Sequence, residues 1–307
     1  MTLNAAVLGA GFIGKSFIRE SLARGANLTV LDHKPCPAEF AGKLEWLDGE
    51  FSDEETLEQV VQNSDVVYHF ISSTVPGDES DDAAELVQNV VQTLRLLKLC
   101  VKVGVKKIVF ASSASVYGRQ DKFPILESAS TNPISSHGIH KLTIEKYLQL
   151  YKYQHGLDCK NMRLSNPYGP EQRVTGRQGF IAIVIGKILA GENIVIRGSG
   201  EDVRDFIYID DVCDALYLMG QCETNKNIFN IGSGQGHSLN QVVGLIEKVL
   251  NKPVSVSHTE SRFSDIPTSI LDVTCAKQNL NYRSETSMED GLIKTLAFHG
   301  LKICRST

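Results

Sequence analysis

The 307-residue sequence has a single tryptophan and no paired or clustered cysteines. Its seven cysteines (Cys36, Cys100, Cys159, Cys213, Cys222, Cys275 and Cys304) form no C-x-x-C motif. An odd, scattered set argues against a disulfide framework or a structural metal site and fits free thiols in a reducing compartment. Long apolar runs are also missing: the longest, such as Phe180–Gly186, fall far short of the ~20 residues that span a bilayer. The N-terminus enters a strand pattern without the basic, apolar and small-residue succession of an export signal. The expectation is a cytoplasmic protein without a membrane span. Positive charge is not in excess. A net charge of -5 gives no electrostatic reason to expect nucleic acid or an anionic membrane as partner. An anionic ligand would need local basic side chains and helix N-termini. There is no internal repeat, low-complexity segment or long linker. Hydrophobic content of 42% and charged content of 22% are those of an ordinary globular chain. The length suits one large α/β unit or two domains sharing an interface.

What is present begins at the N-terminus. Leu3–Leu8 reads as a buried strand and runs into Gly9-Ala10-Gly11-Phe12-Ile13-Gly14, followed by a helical pattern through Arg24. G-x-G-x-x-G between a strand and a helix is a dinucleotide-binding context: the glycines permit a tight turn, and the pyrophosphate sits at a helix N-terminus. Leu28–Leu31 reads as a second strand, ending at Asp32, whose carboxylate can accept both ribose hydroxyls of an adenosine and would repel an extra phosphate there. This favours NAD over NADP. Leu44–Leu47 and Asp65–Ile71 read as further strands, and His69 within the latter reads as a buried structural histidine. The polar loop after it offers Ser73 as a substrate contact at the sheet's C-terminal edge. Ala83–Val103 reads as a long helix, apolar over much of its circumference.

Lys106–Ala111 is another strand pattern, and Ser113 lies just beyond it in FASSASVYG. His137 and Lys141 stand one helical turn apart, so they share a face. A hydroxyl, an imidazole and an ammonium at a strand end make a proton-transfer constellation. FASSASVYG followed by x-x-x-K resembles the extended short-chain dehydrogenase/reductase family, above all its nucleotide-sugar branch of the UDP-glucose 4-epimerase kind. Where that family has Tyr-x-x-x-Lys, this sequence reads His137-Gly138-Ile139-His140-Lys141. Further matches follow: Arg163-x-x-Asn166-x-Tyr168-Gly169-Pro170, Arg204-Asp205-Phe206, and Arg262-Phe263-Ser264-Asp265, with Ser264 where the family has Gly. The resemblance extends over essentially the whole chain.

The resemblance implies a doubly wound parallel Rossmann sheet with a smaller α/β substrate-binding lobe. Residues 1–165, with about 206–232, would form the NAD-binding domain, and 166–205 with 233–307 the nucleotide-sugar lobe. It implies tightly held NAD, contacted by Gly9, Gly11, Phe12, Ile13, Gly14, Asp32, Glu50, Phe51 and Lys141. It implies substrate contacts at Asn166, Arg204, Arg262 and Asp265, no metal, and a homodimer built on the two long helices. The implied reaction is C4 epimerisation of a nucleotide-linked sugar, UDP-hexose first, by transient oxidation. Ser113, His137 and Lys141 are its catalytic set, with His137 in the place of the family's tyrosine. A neutral imidazole between cationic neighbours accepts a proton as a weak base, and its imidazolium returns the proton readily. Two alternatives stand beside this: a different redox reaction on the same fold, such as keto-sugar reduction or decarboxylation, or binding of nucleotide-sugar and NAD without turnover.

Overall fold

The computed structural model describes residues 3–73, 82–176, 178–260 and 266–304. Strands and helices alternate through the first half of the chain. Strand β1 (Asn4–Leu8) leads to helix α1 (Phe12–Ala23), then β2 (Asn27–Asp32), β3 (Glu45–Asp48), α2 (Glu54–Val61) and β4 (Val66–His69). A helical stretch follows, made of α3 (Asp82–Leu86), a π-helical turn (Val87–Val91) and α4 (Gln92–Val103). Next come β5 (Lys107–Ser113), α5 (Ser136–His155) and β6 (Asp158–Leu164). The second half supplies β7 (Asn166–Tyr168), α6 (Phe180–Ala190), β8 (Ile194–Arg197), β9 (Val203–Tyr208), α7 (Ile209–Gln221) and β10 (Ile228–Ile231). It closes with β11 (Gly236–Ser238), α8 (Leu239–Leu250), β12 (Val256–Thr259), β13 (Thr268–Ser269), α9 (Thr274–Leu280) and α10 (Met288–Phe298).

Seven strands form one parallel sheet in the order β10-β6-β5-β4-β1-β2-β3. The order reverses between β1 and β4, the switch point at whose C-terminal edge such sheets bind ligands. The sheet is buried on both faces, as parallel strands require. Along β1, Ala5 and Val7 pack into one core with Phe17 and Ile18 of α1 and Val212 and Leu216 of α7. Ala6 and Leu8 pack into the other with Leu57 of α2, Leu96 of α4, and Ile144 and Leu148 of α5.

The helix ends follow local chemistry. Ser135 caps α5 by accepting from the Gly138 amide, and Gly156 ends it at φ +71°. Ser238 and Gln241 form a reciprocal capping box at α8.

A second, smaller sheet is centred on β9, which pairs β11, β13 and β7, and β8 pairs β12 alongside it. The chain returns to the large sheet through α7, which packs on α1, and β10, which adds beside β6. Two buried lysines hold that return. Lys107 Nζ donates to the carbonyls of Gly220 and Cys222, and Lys160 Nζ to those of Thr224 and Lys226.

Asp210 and Asp211 read in sequence as N-terminal caps and dipole partners of the helix they open. Both lie in the first turn of α7, and the cap position itself is Tyr208. Asp211 accepts from the amides of Glu285 and Thr286 and the hydroxyl of Ser284, so it fastens the C-terminal segment to α7.

Candidate active site

The glycine loop follows directly from β1. Gly9 adopts φ +95°, a left-handed conformation that costs a glycine little. A Cβ on Gly14 would lie 2.0 Å from the Gly9 carbonyl oxygen, so only glycine lets α1 start this close to the strand. A Cβ on Gly11 would meet nothing within 4 Å, which leaves the outer side of the turn open. Gly11 gives α1 no side-chain cap, so the amides of its first turn, from Phe12 and Ile13 onward, remain available to an anion.

Asp32, 8% exposed at the end of β2, accepts from the Ala10 amide at 2.6 Å and the Lys34 amide at 3.0 Å. It therefore braces the glycine loop, and its carboxylate could also reach an adenosine ribose. Glu50 is exposed in the turn after β3, and Phe51 is half-buried with its ring 5.1 Å from that of His69.

At the end of β4, His69 is fully buried, and burial pushes it down to about 3, so the ring is neutral. It pairs with Thr93 Oγ1 at 2.9 Å, and Thr93 donates to the Asn89 carbonyl. Asn89 lies inside the π turn and grips Ser73 twice: its Oδ1 accepts from the Ser73 amide at 3.0 Å, and its Nδ2 donates to the Ser73 hydroxyl at 2.8 Å. Such turns recur at functional sites. Sequence reading passes over Asn89; the available signal was a polar residue on the buried side of an apolar helix.

The end of β5 carries the proton-transfer candidates. Lys141 is 6% exposed, its Nζ donating to the Ala111 carbonyl at 2.8 Å and lying 4.7 Å from the centre of the Phe110 ring. Burial pushes its ammonium down to about 8. His137 sits one turn earlier on the same face, partly exposed. Ser113 Oγ accepts from the Ser115 amide at 3.1 Å, capping the short helical turn Ala114–Tyr117. A Cβ on Gly138 would lie 2.8 Å from the Ser115 carbonyl oxygen. Glycine next to His137 thus lets the first turn of α5 press against the turn that follows Ser113. Beneath Lys141, Glu145 accepts from the Ser112 hydroxyl at 2.5 Å and from Arg163 Nη2 at 2.7 Å, all three residues being buried. Glu145 was not singled out from sequence, and Arg163 entered only as the first residue of the match that runs to Pro170.

The substrate candidates lie toward the smaller sheet. Asn166 Nδ2 donates to the Asp205 carbonyl at 3.0 Å, tying β7 to β9. Arg204 is half-buried, with Nη1 donating to the Val203 carbonyl and Nη2 3.5 Å from Asp202. Asp205, which from sequence could have tethered Arg204, has another task. It is fully buried and accepts from the amides of Ser233, Gly234 and Leu271 and from the Ser233 hydroxyl. Arg262 and Asp265 lie outside the described residues.

The family model described as NAD dependent epimerase/dehydratase family matches residues 5–232. UDP-glucose 4-epimerase of Mycolicibacterium smegmatis is 30% identical over 299 residues, 94% of this chain and 96% of that protein. A dTDP-4-dehydro-6-deoxyglucose reductase of Escherichia coli is 31% identical over 299 residues, 94% of each. The crystal structure of Thermotoga maritima UDP-glucose 4-epimerase with UDP-glucose superposes with a TM-score of 0.89 at 32% identity, covering 97% of this chain and 99% of the other. Thermus thermophilus UDP-glucose 4-epimerase in complex with NAD gives 0.88 at 27% identity, with the same coverage.

NAD is the cofactor of this family, and the local geometry fits it. The open side at Gly11, the uncapped start of α1 and the acid at Asp32 could hold the pyrophosphate and ribose of a dinucleotide. Gly14→Ala is expected to abolish co-purified NAD and lower affinity for added NAD by at least about tenfold, a cost of ~1.4 kcal/mol; quantifying bound nucleotide after denaturation tests this, and full NAD content in the variant would refute it. The match over residues 5–232, with its glycine loop between β1 and α1 and its seven-strand parallel sheet, establishes that the chain belongs to the NAD-dependent epimerase/dehydratase family.

Proposed function

We propose that the protein epimerises a nucleotide-linked hexose, UDP-linked, at C4, with His137 as acid and base. The observation that carries the reading is the placement of Lys141: a desolvated ammonium fixed on the Ala111 carbonyl, two residues before Ser113 and one helical turn after His137. NAD, when bound, supplies a reversible two-electron acceptor for a secondary alcohol. The protein's own task is then to remove the hydroxyl proton and give it back. On this reading His137 accepts the proton from the sugar hydroxyl and Ser113 orients that hydroxyl. Lys141 keeps a positive charge beside them, which favours the alkoxide. Asn166 and Arg204 hold the remainder of the substrate, Arg204 through a planar fork suited to phosphate oxygens. Ser73, Arg262 and Asp265 belong to the same proposed set of substrate contacts.

Purification without added nucleotide, mass spectrometry of the released ligand and NMR at C4 of a UDP-hexose panel test the reading. The expected result is bound NAD and a C4 epimer. His137→Ala should lower kcat by about 10²–10⁴-fold, the usual worth of a positioned general acid or base. Bound NAD with every hexose unchanged would defeat the proposal. Consumption of a 4-keto sugar with added NADH would then direct it toward the reductase chemistry in the name of the Escherichia coli relative.

A pH profile examines Lys141 separately. As pH rises through about 8 the ammonium is lost, so kcat/KM should fall on the alkaline side with a limb near that value. Lys141→Arg, which stays protonated, should be slower but lack the limb. A wild-type profile flat to pH 10 would show that this charge is not required.

We further propose a cytoplasmic homodimer. The seven cysteines are all free thiols, as a reducing compartment requires. α4 packs beside α5, and apolar side chains are exposed along this stretch: Val87 in the π turn and Val101 on α4, fourteen residues apart, and on α5 Ile139, Leu150 and Tyr153, the last 89% exposed. An apolar strip shared by two neighbouring helices suits a second copy of the same strip. Sedimentation should give a dimer for the wild type and a monomer for the Val101→Glu, Leu150→Glu double variant. A wild-type monomer at micromolar concentration would rule this out.

A further inference from the structure

β11 is short and antiparallel to β9, and its register sets His237 directly opposite Arg204. On the other side of β9, β13 sets Ser269 opposite Arg204 as well. Residues paired across strands point to the same face. His237, Arg204 and Ser269 therefore stand in a row, while Asp205, the next residue of β9, points to the opposite face and is fully buried there.

We propose that His237 is a second contact for the phosphates of a nucleoside diphosphate, working beside Arg204. This rests on the nucleotide-sugar reading above and adds a specific residue to it. His237 Nδ1 is shut off from water and has no hydrogen-bond partner among the described residues, whereas buried polar atoms are nearly always satisfied. The imidazole is half-buried, and burial holds its pKa below the ordinary histidine value, so the neutral ring carries one N–H to donate. Its position is fixed from both ends. Before β11, Asp205 pins Ser233 and Gly234 from the far side of the sheet. After it, Ser238 is locked in the capping box of α8. A planar guanidinium and an imidazole N–H side by side on one rigid strand pair form a donor set for adjacent phosphate oxygens.

The test is calorimetric titration of the NAD-containing protein with UDP and with uridine. His237→Phe keeps the ring bulk and removes the donor; His237→Gln keeps an N–H. We expect His237→Phe to weaken UDP binding about tenfold or more, as loss of a hydrogen bond to a charged group would. Uridine affinity should stay within about twofold, with NAD content and melting temperature unchanged, and His237→Gln should recover part of the loss. Unchanged UDP affinity in His237→Phe would overturn the proposal, as would equal proportional losses for UDP and uridine, which would make the ring a shape element only. If the wild-type protein binds no UDP, the nucleotide-sugar reading itself falls and this inference with it, a result visible before any variant is compared.

Discussion

The ion pair between Glu145 and Arg163 sets the position of nearly everything around the candidate catalytic residues. Both residues are 3% exposed. Arg163 reaches Glu145 through Nε at 3.1 Å and Nη2 at 2.7 Å, and Ser112 donates to the same carboxylate at 2.5 Å. One contact therefore joins α5, β6 and β5. The Arg163 guanidinium also lies 4.7 Å from the centre of the Tyr117 ring, and the Tyr117 hydroxyl donates to Asn230 on β10 at 2.6 Å. Such a pair is weak evidence for net stability, because desolvation offsets much of the attraction, yet removing one partner costs about 3–5 kcal/mol. Its value here is angular. Glu145 is one turn beyond Lys141 and two beyond His137. Fixing Glu145 against β6 fixes the rotation of α5, and with it the direction in which Lys141 and His137 face.

A similar economy operates on β9. Successive side chains of a strand alternate between faces, and Arg204 and Asp205 use that alternation. Asp205 gathers three backbone amides and the Ser233 hydroxyl on the buried side, which fixes the turn before β11 and the start of the chain's last segment. Arg204 is left on the other side with His237 and Ser269 as neighbours. The two adjacent residues have separate tasks: one holds the frame, the other faces the place where the smaller sheet would take a ligand.

Much of the nucleotide half was legible because its signals are local. The glycine loop, the strand that ends at Asp32 and the apolar runs of β4 and β5 each lie within a dozen residues. The smaller sheet was less legible because its strands run from two to six residues and pair with segments far away in the chain. The π turn at Val87–Val91 shifts hydrogen bonds without marking the sequence, so the grip of Asn89 on Ser73 could not be read from it. Asp211 shows the same limit. Two acids before a helix read as caps, and only the fold reveals that residues 284–286 return to bind one of them. Glu145 was hidden differently: four residues after Lys141 it looks like an ordinary surface acid, until Arg163 is found buried beside it.

On the proposed assignment, His137 stands in the place of the resembled family's tyrosine, and this alters the chemistry more than the layout. Gly138 still allows close approach to the Ser115 carbonyl, and Lys141 still reaches the Ala111 carbonyl. A phenol beside a cation gains acidity and becomes a ready base once ionised, whereas an imidazole beside the same cation resists taking up a proton. On the proposed assignment, the nearby ammonium favours the sugar alkoxide while it lowers the basicity of His137, so its two effects on removal of the hydroxyl proton oppose each other. Lys141 tempers this: burial has already lowered its hold on its own proton to about pH 8, so the charge that opposes His137 weakens as the pH rises. On the proposed assignment, epimerisation needs both halves of this exchange: a neutral His137 to take the proton and an imidazolium to give it back.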